Sequence, residues 1–521
     1  MKKPRLIYYN DGHHFHAKRV DPPLNQHKMH WPVDEVVGTG VELLVLGLGY
    51  GDVYFHDSKV GRTVDEEKQV WENFIDWRIM RMVKDAREMG TDQVREVIKR
   101  GRHMGLPVFP SLKMQSGNEY RSPRCGWLKW EHGAAVCLGE GEEEPWCYDY
   151  AKELVRRDKL AMIREMLEDY GADGMELDFM FRPRYFKRAE VEEGIAVMNE
   201  FIAAVRALAN EVGAAQERRI PLLARVYHRR EENLACSLDV ETWLSAGHID
   251  YVVGQVSDNL FETGLADGAW LVEAAEGAGA AAYIRPAHIV YDERTIFPHI
   301  EMFRALGQTL EWRGFSGMYL GYLPWPFAQR EYQILREVAY PEVVERHDKR
   351  YLLQPREGEA EATTTPARLL PAVLRQGQTA RISIVVADDL DGARRDGEMR
   401  PPLLVIRLAN FCIEDEIEIR FNGRVLPLEE ATITDERATR ILARMRSPVD
   451  APESFGGYWL RYALDVELLV RGENVLEVET QKLEETAGFV RSVSGVEIRT
   501  QYKDFVRPEG LEVERIAPTA P

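Results

Sequence analysis

At 521 residues, with 45% hydrophobic and 29% charged residues, the chain has the composition of an ordinary soluble globular protein of two or three domains. Its formal net charge of −19 argues against nucleic acid and anionic membranes as partners, because phosphate binding needs basic surface. No stretch is long and apolar enough to read as a membrane span.

The chain opens Met1-Lys2-Lys3-Pro4-Arg5, and only Leu6-Ile7-Tyr8-Tyr9 follows before Asn10-Asp11. That apolar run is too short for a signal-peptide core, so the expected location is cytoplasmic, or periplasmic or secreted if a leader was removed. Five cysteines (Cys125, Cys137, Cys147, Cys236, Cys412) include no Cys-x-x-Cys pair, which argues against a disulfide framework or a structural zinc. Cys125, Cys137 and Cys147 share one stretch, and a single local disulfide among them stays open.

Strand-length apolar runs fall at Arg5–Asn10, Val41–Leu48, Leu106–Lys113, Met175–Phe179, Ile220–Tyr227, Ile249–Val256, Ala281–Arg285 and Phe315–Tyr322. Helical or mixed segments separate them: Pro32–Val37, Glu66–Met104, Tyr150–Tyr170, Glu190–Val212, Val240–Ala246, Leu265–Ala275 and Ile296–Trp312, with Pro326–Val338 after the last. Alternation of this kind implies a parallel sheet, and eight units favour a closed (β/α)8 TIM barrel over residues 1–353. An open doubly wound sheet is the alternative. No Gly-x-Gly-x-x-Gly follows the first strand. Gly47-Leu48-Gly49-Tyr50-Gly51 runs on to Asp52-Val53-Tyr54 rather than to a helix start, which discounts nucleotide binding. The loop Met114–Tyr148 follows the third strand and carries Trp127, Trp130 and Trp146, so it is expected on the catalytic face, shaping substrate subsites. Residues 354–367 read as a polar linker. Residues 368–506 then show strand runs at Arg381–Val386, Leu403–Leu408, Glu416–Phe421, Tyr458–Leu464, Val475–Thr480 and Gly495–Tyr502, with an Asn422-Gly423 hairpin signal. One helical run is considered there, at Asp435–Met445. This half is expected to be a small β-sandwich without catalytic residues, followed by a tail at 507–521.

Gly171-Ala172-Asp173-Gly174 turns the chain into Met175-Glu176-Leu177-Asp178-Phe179. Side chains alternate along a strand, so Glu176 and Asp178 share one face while Met175, Leu177 and Phe179 take the other. Two inward carboxylates at the end of a parallel strand are costly unless they are paired or used. The neighbouring strands end in Lys113 and carry Arg225, and both cations would keep the carboxylates ionised. Asp178, nearest the mouth, then suits a nucleophile or charge stabiliser, with Glu176 tuning it or positioning substrate. Glycoside hydrolysis also needs an acid. Asp258, after the sixth strand, is preferred to Asp11, a positioning residue, and to Asp292-Glu293.

The alternating segments and the fourth-strand stretch resemble glycoside-hydrolase-like (β/α)8 barrels, often with an appended β-sandwich, over about residues 4–345. Asp173-Gly174-Met175-Glu176-Leu177-Asp178-Phe179 looks like the Asp-Gly-x-Asp-x-Asp-x-Glu signature of chitinase-like barrels, but Met180 stands where that family has its acid glutamate. A nucleophile on strand four and an acid on strand six is similar to the α-galactosidase clan, an analogy for Asp178 and Asp258. The reading implies a carbohydrate substrate and no metal or other cofactor. The expected substrate-binding residues are Tyr9, Asn10, Asp11, His13, Lys113, Trp127, Arg182, Arg225, His228, Arg285, Tyr322 and Trp325, with Trp130, Tyr227 and His288 also at strand ends or in the long loop. Two competitors remain. His14-x-His16 after the first strand resembles the metal pair of amidohydrolase-like barrels, with His228 as a further ligand. The other is a barrel that binds carbohydrate without cleaving it.

Overall fold

The structure, a computed structural model, describes residues 3–64, 70–71, 73–256, 261–264, 268–290, 297–354, 370–435 and 457–503. The chain divides into two compact units. The first holds Met1–Ser257, Asp267–Arg285 and Gly314–Ala339; the second holds Asp258–Ala266, Pro286–Arg313 and Tyr340–Pro521.

In the first unit eight parallel strands close into a barrel in chain order. They are β1 (Leu6–Asn10), β2 (Leu43–Gly47), β3 (Val108–Lys113), β4 (Met175–Asp178), β5 (Leu222–Tyr227), β6 (Tyr251–Gln255), β7 (Ala281–Arg285) and β8 (Gly317–Gly321). Each lies within one of the eight apolar runs of the sequence, so the closed barrel is correct and the open sheet is not. Helices such as Gln93–Met104, Glu153–Glu168 and Val191–Ala215 connect the strands. The interior is filled by alternate residues, among them Ile7, Tyr9, Val45, Phe109, Leu223, Val253, Tyr283 and Tyr319. That alternation carries Glu176 and Asp178 inward from β4, and it turns Asn10 outward because Tyr9 faces in.

The floor of β4 is built by its turn. Asp173 accepts from the Val108 backbone N–H at 3.0 Å and from Arg102 Nε at 3.1 Å, which fixes the entry of β4 against β3. Gly174 must lack a side chain, since a Cβ there would come within 2.4 Å of the Phe109 ring. The register that follows sets Asp178 between Lys113 of β3 and Arg225 of β5. At the top of β1, a Cβ on Gly12 would lie 2.1 Å from the Gly47 carbonyl oxygen, so glycine allows the turn after Asp11 to press on β2.

The second unit is a β-sandwich. One sheet runs Lys349–Leu353, Ser492–Thr500, Leu403–Ala409, Gly457–Ala463, Thr432–Asp435, with Ala372–Val373 also paired to Ser492–Thr500. The other runs Thr379–Val386, Gly472–Lys482, Glu416–Phe421, Arg424–Leu426. A single apolar core, including Ile382, Ile406, Phe421, Leu460, Val478 and Val496, fills this unit. All six strands read from sequence are present. Asn422 and Gly423, at φ 47° and 81°, form the expected tight hairpin turn. The helix Ile300–Trp312 groups with this unit, where its Ala305 shares a core with Tyr351 of the strand Lys349–Leu353. Of the expected helix Asp435–Met445, Asp435 ends the strand Thr432–Asp435, and the remainder lies outside the described residues. So do residues 355–367 of the linker and the tail 507–521.

All five cysteines are free thiols, so the local disulfide left open by the sequence does not form. Among the described residues, no helix is long and apolar enough to cross a membrane.

Candidate active site

Glu176 is fully buried. Its Oε1 accepts from Ser111 Oγ at 2.8 Å and from Arg225 Nε at 3.3 Å; its Oε2 accepts from the Tyr319 hydroxyl at 2.7 Å. Burial raises its pKa; Arg225 opposes this, and the adjacent Asp178 charge adds to it. One layer nearer the mouth, Asp178 is 2% exposed. Its Oδ1 accepts from the Met180 N–H at 2.9 Å, and its Oδ2 is ion-paired with Arg225 Nη2. Arg225 is thus shared by both carboxylates. It also donates from Nη1 to Gln255 Oε1 at 3.1 Å, and its guanidinium lies 5.0 Å and 5.7 Å from the Tyr9 and Tyr319 ring centroids. Planar forked donors suit this shared role, whereas a lysine would supply a single point charge.

A second polar group lines the rim at β1 and β8. Asp11 Oδ2 accepts from the Tyr322 hydroxyl at 2.9 Å and Oδ1 from the His13 N–H at 2.9 Å. Burial works to raise the Asp11 pKa. Lys113, His14 and the Tyr322 hydroxyl outweigh it and hold the carboxyl below its ordinary value. Tyr322 stands at φ 59°, a left-handed conformation that costs a non-glycine residue on the order of 1–2 kcal/mol. His13 packs edge-on to Tyr50 at 5.2 Å, and burial lowers its pKa to about 4, so it is neutral at pH 7. Lys113 is half-buried, 3.4 Å from the Gly49 carbonyl and 4.5 Å from the Phe181 ring centroid. Arg285, inward at the end of β7, lies 5.3 Å from the Tyr322 ring centroid.

The structure therefore brings together Tyr9, Glu176, Asp178, Arg225, Arg285, Tyr322, Asp11, His13 and Lys113. The others sit elsewhere. Asn10, 1% exposed, donates to Glu35 at 3.2 Å on the outer side of β1. Trp325 donates to the same Glu35 at 3.2 Å. His228 is buried against β6, its Nδ1 3.2 Å from the Gln255 carbonyl. Arg182 is ion-paired with Glu144 of the long loop. Trp127 lines a separate cleft of about 520 Å3 with Glu131, Leu154 and Asp158. Asp258 lies outside the described residues. Ser111, Gln255 and Tyr319 complete the interior network and were not singled out from sequence. Each follows from period-two counting: Ser111 is two residues before Lys113, and Tyr319 lies two strand positions before Gly321.

The two histidines of the metal-pair resemblance diverge. His16 holds the Gly12 carbonyl at 2.8 Å and packs on Phe55, while His14 packs on Tyr322. Among the described residues, no group of three His, Cys, Asp or Glu side chains could hold a metal ion.

No family model matches the chain, and no curated protein matches it. Among solved structures, it is similar to a cycloisomaltooligosaccharide glucanotransferase of Paenibacillus sp. at 10% identity and TM-score 0.35, covering 95% of this chain and 57% of that one. It is also similar to a noncanonic maltogenic alpha-amylase, AmyB, from Thermotoga neapolitana at 11% identity and TM-score 0.39, covering 91% and 98%. A third is the PgaB (BpsB) glycoside hydrolase domain from Bordetella bronchiseptica, at 11% identity and TM-score 0.40, covering 66% and 98%. The chain thus spans little more than half the length of the glucanotransferase. The barrel itself stands on the strand pairing.

Proposed function

We propose that the chain is a glycoside hydrolase whose Asp178 is the nucleophile or charge stabiliser at the sugar C1. One observation carries this reading: an inward carboxylate at the C-terminal end of β4, ion-paired to Arg225. Active sites of (β/α)8 barrels are built at that end of the strands. The pairing with Arg225 fixes the orientation of the Asp178 side chain, and a nucleophile or oxocarbenium stabiliser needs a carboxyl group held at that place. Glu176 lies one layer deeper, out of reach of a sugar, and acts by holding Arg225 in place. Asp11 is a poor acid because its carboxyl is held ionised; it orients Tyr322 at the rim. Asp258, next after β6 in sequence, is the proposed acid that protonates the leaving oxygen.

A second reading, a barrel that binds carbohydrate without cleaving it, is favoured by the burial of both strand-four carboxylates. Incubation with a panel of aryl glycosides and oligosaccharides separates the two. Release of aglycone or shortened sugars supports the hydrolase; glycan binding with no product supports the binding barrel.

A further inference from the structure

The charges at the barrel mouth are unevenly matched. Arg225 is engaged with Asp178 and Glu176. Lys113 contributes to the field that keeps Asp11 ionised. Arg285 is different. It is 9% exposed, and its Nε is buried with no hydrogen-bond partner. Among the described residues, its guanidinium forms no ion pair, and its one contact of note is the face of Tyr322. Burial and the like charge of Arg225 both act against its cationic form and lower its pKa. The inward alternation of β7 after Ala281 and Tyr283 aims it at the site. A buried guanidinium without a counter-charge is costly, and arginine's planar fork matches an oxyanion.

We infer that Arg285 is a binding residue for an oxyanion carried by the substrate sugar: a uronate carboxylate, or a sulfate or phosphate ester. This rests on the glycosidase reading for the sugar, and it names the substrate class as anionic. Tyr322 would hold the guanidinium plane through its ring while the fork grips two oxygens. A neutral glycoside would bring no oxyanion to this guanidinium, which among the described residues has no ion-pair partner.

The test is thermal melting and calorimetric titration of the whole protein with sodium D-glucuronate, D-galacturonate, D-glucose 6-sulfate and D-glucose 6-phosphate. D-glucose and ionic-strength-matched sodium chloride are the controls. At least one anionic sugar is expected to raise Tm where glucose and chloride do not, and the four arms distinguish carboxylate from ester. Arg285→Met should melt no lower than the wild type and bind that sugar about tenfold more weakly or worse. Arg285→Gln provides a second neutral variant with the same expected loss. The inference is overturned if none of the four sugars stabilises the wild type beyond chloride, or if the neutral variants keep the response. Hydrolysis of neutral glycosides without anionic preference would remove this inference and leave the hydrolase reading. Anionic-sugar binding without turnover would do the reverse.

Discussion

Arg225 joins two carboxylates that would otherwise repel each other in the barrel interior. Replacing it by methionine keeps much of its bulk but leaves Glu176 and Asp178 without their cation. The expected cost is about 3–5 kcal/mol, read by denaturant unfolding, because breaking a buried pair strands its partner. Glu176→Gln should be milder: the amide oxygen can still accept from Ser111 and Arg225, and turnover should fall about tenfold or less. Asp258→Asn, if that residue is the acid, should spare substrates with activated phenol leaving groups, which need no protonation. A pH effect on stability belongs to His16, which is 1% exposed and whose pKa burial lowers to about 4. Its folded value lies below the unfolded one of about 6.5, so the unfolded chain binds the extra proton between them. Stability from this group is complete above about pH 6.5 and is lost towards pH 4, on the order of 2–3 kcal/mol. His16→Asn should flatten the Tm profile over that window. Much of the placement of the candidate site's side chains can be read from the sequence residue by residue. The alternation of β4 placed Glu176 and Asp178, and strand order alone set Lys113 and Arg225 beside them. The same alternation excludes Asn10 once Tyr9 is known to face in, a signal available in sequence but outweighed by Asn10's place at a strand end. His228 and Trp127 depend on loop paths, which no periodicity encodes.

The eight barrel strands stood out because each is an apolar run bounded by polar residues, buried on both faces. The sandwich strands Arg424–Leu426 and Ala372–Val373 did not, being only three and two residues long, too short for a period-two pattern to show. Lys349–Leu353 carries no strand expectation from sequence and falls at the end of the span 1–353; its partner Ser492–Thr500 lies far along the chain. The loop Met114–Tyr148 is pinned by hydrogen bonds of its own. Gln115 and Tyr148 exchange hydrogen bonds of 3.0 Å and 2.6 Å, and Lys129, fully buried, donates to the carbonyls of Ser116 and Asn118. Shortening this loop is therefore expected to reduce stability as well as alter specificity. Lys129→Met alone, which also leaves Asp52 without its cation at 3.7 Å, should lower Tm markedly. At the base of β4, Gly174→Ala should cost about 1–3 kcal/mol by displacing the Phe109 ring, measured by the same unfolding experiment.

Across the whole chain, the sandwich unit is proposed to be structural rather than catalytic. Its strand Lys349–Leu353 and the helix Ile300–Trp312 share its core, so a chain cut after Leu353 would expose Tyr351, Ala305 and their neighbours to water. Such a truncation is expected to be insoluble or aggregated by size-exclusion chromatography. A soluble, cooperatively folding product would show that the sandwich is dispensable to the barrel. The net charge of −19 sets a further expectation: an anionic substrate must be drawn in by the local cations Lys113 and Arg285 against the field of the whole protein. Its apparent affinity should then depend on salt far more than that of a neutral sugar.

Asp178 is proposed to perform the chemistry, and the decisive measurement is turnover by Asp178→Asn on a glycoside that the wild type cleaves. The amide removes the attacking oxygen while its carbonyl still accepts from Met180 N–H, and Arg225 keeps Glu176 as its counter-charge. The expected result is an unchanged fold by circular dichroism with activity reduced about a thousandfold or more, on the order of 4 kcal/mol in the barrier. Near-normal turnover by a folded Asp178→Asn would contradict the account and leave the strand-four carboxylates as structural ion pairs.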